Sequence, residues 1–351
     1  MNRLSQLREV LMAKHLDGLL VTDPVNVSYL TGFTGDESAL LVTADDSLFI
    51  TDSRFTTQFN QQVHNSRLVI HQDHLLSAAS EQATGTVGFE AEFMTYADFL
   101  KLQGPAQWLP TTDLVSGLRE VKDDAELAEI KQAIAIAEAG YQHVLETIRP
   151  GMTEIQVAND LDQFMKNLGA SGTSFETIVA SGLRSAMPHG MASEKVIEAG
   201  DVVTLDWGAV YHGYVSDITR TFVMGHATAE MEKIYHVVYV ANLATTKQMR
   251  AGVLGKTIND FAHQFIDDQG YGEYFGHGTG HGIGRSIHEG PGAWGPYREV
   301  PQVAGNVETV EPGIYVPGVG GVRIEDDILI TADDPIVLTS QAPPTLVVVP
   351  V

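Results

Sequence analysis

The sequence predicts an α/β (α+β) chain of two domains, an α/β layer domain over residues 1–120 and a pseudo-twofold αβ domain over residues 121–351. Three observations lead there. Short apolar runs interleave with an amphipathic pattern in the first third, a long amphipathic helix follows, and the remainder repeats its own pattern. With 351 residues and 44% hydrophobic content the chain can bury a large core, and its length suits two domains of ordinary size.

Leu4 to His15 is amphipathic, and the runs GLLVT, ALLVT, SLFIT and RLVIH that follow read as short strands. WLPTTDLVSGLREVKDD then leads into a helix. Leu127, Ile130, Ile134, Ala137, Tyr141, Val144 and Ile148 recur at spacings of three and four behind an Asp123/Asp124 cap, so the domain boundary falls near residue 120.

Beyond it, Arg149 to Gly169 and Arg250 to Gly270 are each 21 residues long, open on Arg-x-Gly and close on Gly after an amphipathic helix. GDVVTLDWG, from Gly200, likewise matches GNVETVEPG, from Gly305. Similarity at a fixed offset is the signature of duplicated units. It predicts two αβ halves related by a pseudo-twofold.

Composition removes several functions. The 21 basic and 45 acidic side chains give a net charge of −24, which disfavours nucleic acid and anionic membrane and favours cations. Cysteine is absent, so disulfides, thiol nucleophiles and thiolate metal sites are excluded, and any metal must sit on oxygen and imidazole. The N-terminal stretch lacks the apolar core of a signal peptide, and no run approaches the roughly 20 apolar residues of a membrane span. The expectation is a soluble, cytoplasmic protein.

YFGHGTGHGIGRSIHEGPG, Tyr274 to Gly292, holds three histidines and seven glycines in nineteen residues, too many glycines for a helix or strand. Carboxylates fall at mirrored places around it. Asp206 ends the strand-like VVTLD, and a return through YHGY is expected to bring Asp217 nearly opposite. Glu311 aligns with Asp206 in the repeat, and a turn near Gly318 is expected to bring Glu325 opposite Glu311. Four converging carboxylates would raise one another's pKa steeply, whereas one or two divalent ions would neutralise them. A metal centre is the consequence.

These segments resemble the pita-bread metallopeptidases, the family of methionine aminopeptidase, Xaa-Pro dipeptidase (prolidase) and Xaa-Pro aminopeptidase (aminopeptidase P). VVTLDWGAVYHGYVSDITRTF, HGTGHGIGRSIHEGP, VETVEPGIY and GGVRIEDD stand in family order, and the similarity extends over essentially the whole chain. The resemblance implies a creatinase-like N-terminal α/β domain, a pita-bread catalytic domain and a homodimer formed through the former. It further implies two divalent ions per subunit on Asp206, Asp217, His281, Glu311 and Glu325, with Asp217 and Glu325 shared. This hard, oxygen-rich set favours Mn²⁺ and also accepts Co²⁺ or Zn²⁺.

By the same resemblance His189 and His288 bind the scissile carbonyl, His277 lines a proline pocket, and Glu311 is general base and then acid for the proline nitrogen. Arg323 projects from the same strand face as Glu325 and orients either a metal carboxylate or the substrate, or forms a structural ion pair. YLTGFTGDESALLV and ITDSRF are similar to the short bacterial aminopeptidase P type, although Phe55 stands where that pattern often has Tyr. The implied substrates are peptides with proline second, the alternative being Xaa-Pro dipeptides alone. A metal-free creatinase-type hydrolase and a non-catalytic binding module are more remote readings that the intact ligand set disfavours.

Overall fold

The computed structural model describes residues 2–292 and 299–351. It divides into two compact units, Met1–Arg119 and Glu120–Val351.

The first unit is one sheet with helices on both faces. Its strands are β1 (Gly18–Val21), β2 (Ser38–Thr43), β3 (Ser47–Thr51), β4 (Arg67–Ile70), β5 (Thr86–Glu90) and β6 (Gln107–Thr111), in the order β4-β3-β2-β1-β5-β6. Only β2 runs against the rest. The four apolar runs read from the sequence are β1 to β4. β5 and β6 escape that reading because TVGFE and QWLPT carry a glycine and a proline where a strand would carry branched side chains.

Strand alternation sorts the core into two layers. Leu19, Val21, Leu40 and Val42 face α1 (Arg3–Ala13), α2 (Pro24–Thr31) and α3 (Thr56–Gln62). Leu20, Ala39, Leu41 and Ile50 face the other way, onto Ala79 of α4 (Leu75–Gln82). The short helices α5 (Tyr96–Phe99) and α6 (Ser116–Arg119) complete the unit.

The second unit opens with α7 (Asp124–Thr147), where Asp123 and Glu126 form a reciprocal capping box. Ile130, Ile134, Ala137 and Val144 form its buried stripe. The two repeated segments become α8 (Glu154–Asn167) and α10 (Gly255–Asp268), each 14 residues long and each beginning five residues after its arginine. Between them lie β7 (Gly172–Thr173), β8 (Ile178–Ser181), β9 (Val202–Trp207), β10 (Ala209–Tyr211), β11 (Tyr214–Val215), β12 (Ile218–Met224) and α9 (Ala229–Thr246).

The C-terminal strands are β13 (Val307–Val310), β14 (Gly313–Val316), β15 (Gly320–Arg323), β16 (Asp326–Leu329), β17 (Ile336–Val337) and β18 (Val347–Val349). Two antiparallel hairpins, β9–β12 and β13/β14–β15/β16, are therefore the frame of this unit. Among the described residues no helix is long and apolar enough to cross a membrane.

Candidate metal centre

Asp206 lies on β9, and its partner across the ladder is Thr219, not Asp217. A two-residue turn decides this. Tyr211 pairs with Tyr214 around His212 and Gly213, both at positive φ, and that register sets Asp206 against Thr219 and moves Asp217 two residues along the same face. In the second hairpin Val310 pairs with Asp326 and Gly313 with Arg323. One register thus runs through both ladders, and Glu311 stands against Glu325 as expected. Pro312, lacking an N–H, separates β13 from β14 at that point.

The hairpins meet along β12 and β15. The Glu325 amide donates to the Thr219 carbonyl at 3.1 Å, and Thr221 Oγ1 donates to the Arg323 carbonyl at 2.9 Å. The glycine-rich loop then runs beside β13: the Thr309 amide donates to the His281 carbonyl at 2.8 Å, and the Glu311 amide to the Thr279 carbonyl at 2.8 Å. A Cβ at Gly280 would overlap the Thr309 carbonyl, and one at Gly282 the Gly290 carbonyl. The flanking glycines let the loop backbone reach β13, which delivers His281 to the carboxylates.

His281 Nδ1 donates to the Gly282 carbonyl at 3.2 Å, leaving Nε2 with its lone pair 3.4 Å from Asp217 Oδ2 and 3.8 Å from Glu311 Oε1. Donor atoms of Asp217, His281 and Glu325 all lie within 4.8 Å of one another. Arg323 NH2 donates to Asp206 Oδ2 at 2.7 Å, while Asp206 Oδ1 is buried without a hydrogen-bond partner.

Burial, and then the neighbouring carboxylates, push Asp217 and Glu325 well above the usual acid range. Glu311 is raised too, chiefly by burial, against the pull of His281 and Arg323. Burial disfavours the charge on Arg323, yet Tyr315, Asp206, Glu325 and Glu311 hold its pKa above the ordinary arginine value. One guanidinium faces four carboxylates and an imidazole with a free nitrogen, and one buried acceptor has no donor. The set fits divalent cations, which would supply the missing positive charge.

Around this point the remaining histidines assemble. Arg323 NH1 donates to Tyr315 Oη at 2.9 Å, Tyr315 Oη donates to His277 Nε2 at 2.8 Å, and His277 Nδ1 donates to the Gly278 carbonyl at 2.7 Å. The chain fixes the His277 tautomer. Burial, with the Arg323 charge beside it, lowers the His277 pKa to about 4, so the ring is neutral at pH 7. The exposed His288 ring lies 4.3 Å from that of His281, and His189, also exposed, is near enough to press on the charge of both His277 and His288.

His189 rides on a segment that Glu154 clamps. Glu154, fully buried on the first turn of α8, accepts from the Ser181 amide and hydroxyl at 2.8 Å each and from the Ser193 hydroxyl at 2.6 Å, and it pairs with Arg184. Arg323 NH1 adds a bond to the Pro188 carbonyl at 3.1 Å.

The pattern of metallopeptidase family M24 matches residues 128–332, and that of the creatinase/prolidase N-terminal domain matches residues 3–121. The chain belongs to metallopeptidase family M24. This metallopeptidase is 41% identical over 94% of its length to the peptidase YqhT of Bacillus subtilis (strain 168), covering 95% of that protein. Its structure superimposes on an Xaa-Pro dipeptidase from Bacillus anthracis with a TM-score of 0.95 and 42% identity, covering 99% of both chains. An X-Pro aminopeptidase from Thermotoga maritima MSB8 superimposes with a TM-score of 0.90 and 37% identity, covering 95% of this chain and 98% of that one.

Three contributors escape sequence reading. Tyr315 reads as a plain strand aromatic, Thr219 as a plain strand hydroxyl, and Glu154 as a helix-start acid, yet each contacts a group far away in the chain. Thr219 Oγ1 donates to Glu325 Oε2 at 2.6 Å and accepts from Arg323 Nε at 3.0 Å. Thr219→Val keeps the shape and removes both bonds, so metal affinity of this metallopeptidase is expected to fall about 10- to 100-fold, the scale of lost support behind a ligand. Titration with Mn²⁺ against a competing chelator checks it, and an unchanged affinity removes Thr219 from the support of the centre.

Glu154→Gln should lower kcat about 10- to 100-fold through misplacement of His189, with metal content unchanged and faster amide exchange over residues 181–193. Faster exchange with an unaltered kcat would leave Glu154 a purely structural residue.

Proposed function

We propose that this metallopeptidase hydrolyses the peptide bond before proline, releasing the first residue from peptides with proline in second position. The observation that carries this is the convergence of five hard donors on one buried point, with a neutral His277 and two accessible histidines beside it. The names borne by the B. anthracis and T. maritima proteins support the same bond. An amide before proline is tertiary and flanked by a ring, which ordinary peptidases accommodate badly.

Asp206, Asp217, His281, Glu311 and Glu325 would hold two divalent ions, Mn²⁺ by preference, with Asp217 and Glu325 shared. Bound there, divalent metal supplies Lewis acidity and lowers the pKa of water. The Glu311 side chain is more open to solvent than those of the neighbouring aspartates, 18% exposed against 12% for Asp206 and 6% for Asp217. That openness suits a general base which takes the water's proton and returns one to the proline nitrogen. His189 and His288 each donate an N–H to the oxyanion, and His277 stands against the proline ring. Arg323 acts through Asp206 and Tyr315, holding a carboxylate and an imidazole in place.

Acceptance of longer peptides is supported by the engagement of every Arg323 nitrogen: Nε with Thr219, NH1 with Pro188 and Tyr315, NH2 with Asp206. A strict dipeptidase needs a cation for the proline carboxylate. The name of the B. anthracis relative favours that second reading.

Comparison of kcat/KM for Ala-Pro and Ala-Pro-Ala with Mn²⁺ decides between them. The tripeptide is expected to match or exceed the dipeptide, and a dipeptide preference of about 100-fold, roughly 2.7 kcal/mol, establishes the second reading. Asp217→Ala should lose bound metal together with activity, because a shared carboxylate is removed. Metal counting on the purified variant tests this, and an undiminished stoichiometry excludes Asp217 from the ligand set.

A further inference from the structure

The glycine-rich loop continues past His281, and its second half is built around a buried charge pair. Gly282 and Glu289 face each other as an antiparallel bridge, the Glu289 amide donating to the Gly282 carbonyl at 3.0 Å. His281 precedes one end of that bridge and His288 the other, so a closed turn of the chain holds their rings 4.3 Å apart. The spacing of the two imidazoles is set by whatever keeps the turn shut.

Glu289 shuts it from inside. Its Oε2 accepts from the Arg285 amide at 3.1 Å and the Ser286 amide at 3.2 Å, drawing the middle of the turn onto the carboxylate. Its Oε1 forms an ion pair with Lys122 Nζ at 3.0 Å, with 1% of the lysine side chain and 3% of the glutamate side chain exposed. A Cβ on Gly284 would overlap Glu289 Oε1 and crowd Lys122 Cε, so the loop backbone lies directly on the pair. Lys122 is anchored in turn: its amide donates to the Gly305 carbonyl at 2.9 Å, two residues before β13, and its Nζ to the Glu120 carbonyl at 3.3 Å. Desolvation offsets much of the attraction within a buried ion pair, so such a pair is weak ground for stability and better ground for holding one arrangement.

We propose that Lys122 and Glu289 are positioning residues that hold His288 in place beside His281. The pair closes the turn, and the closed turn presents the His288 ring to the scissile carbonyl. The second link rests on the function proposed above; the closure of the turn does not.

Two variants of the full-length protein, saturated with Mn²⁺, test this. Lys122→Met is close to lysine in shape, and Lys122→Met/Glu289→Gln leaves no buried charge unpaired where the single variant fails to fold. Each is expected to speed amide exchange over residues 284–289 while leaving residues 202–207 of β9 as they are. On the better of Ala-Pro and Ala-Pro-Ala, kcat is expected to fall about 10- to 100-fold with KM unchanged, the scale of a displaced catalytic group. In a His288→Ala background the same substitutions should alter kcat by no more than about twofold, because residues that act as one unit are not additive. A second fall of the full size in that background overturns the proposal, since the pair then acts by another route. So does unchanged exchange over residues 284–289, or an unchanged kcat where His288→Ala lowers it. If His288→Ala leaves kcat at the parent value, the role assigned to His288 fails instead, and exchange alone decides the closure of the turn: faster exchange upholds it and unchanged exchange strikes it.

Discussion

The ion pair between Arg323 and Asp206, 2.7 Å long and buried, is the contact on which the rest of the second unit's chemistry hangs. Removing one partner of such a pair costs about 3–5 kcal/mol, because the other charge is left in a medium that cannot solvate it. Here the guanidinium does more than balance a charge. Through Tyr315 it fixes the His277 tautomer, through Thr219 it touches the partner of Glu325, and through the Pro188 carbonyl it steadies the segment that carries His189. A single planar cation therefore sets the geometry of two carboxylates and two imidazoles whose positions in the chain are far apart.

Much of this was legible in the sequence because it follows from local rules. The duplicated segment appears as two helices of 14 residues, and Glu311 faces Glu325 because a single register runs from Val310 to Gly313 on either side of a proline. The same arithmetic applied to YHGY, with a two-residue turn at His212 and Gly213, leads to Thr219 as the neighbour of Asp206. The expectation that places Asp217 opposite Asp206 includes the return through YHGY but not the register that its two-residue turn imposes. The sequence-distant contacts of Thr219, Tyr315 and Glu154 have no local signature, since a hydroxyl or an acid at those places suits its own strand or helix equally well.

The two halves of the duplication are thus related but unequal. The first keeps an unbroken β9 through Asp206 to Trp207, and the second is cut by Pro312 immediately after Glu311. The cut frees Glu311 from the ladder on one side and leaves its carboxylate more open than that of Asp206, its counterpart in the repeat. Divergence between matching positions gave one carboxylate a structural partner in Arg323 and the other an approach from solvent.

The stitching of the hairpins through Thr219 and Glu325 has a consequence for the life of the protein. With the proposed ligands drawn from both halves, an ion seated between them would act as a rivet across the pseudo-twofold, and a rivet that binds only the native arrangement stabilises it by mass action. The halves cannot slide apart while it is held. Metal supply would then govern how long a molecule survives proteases as well as how fast it turns over.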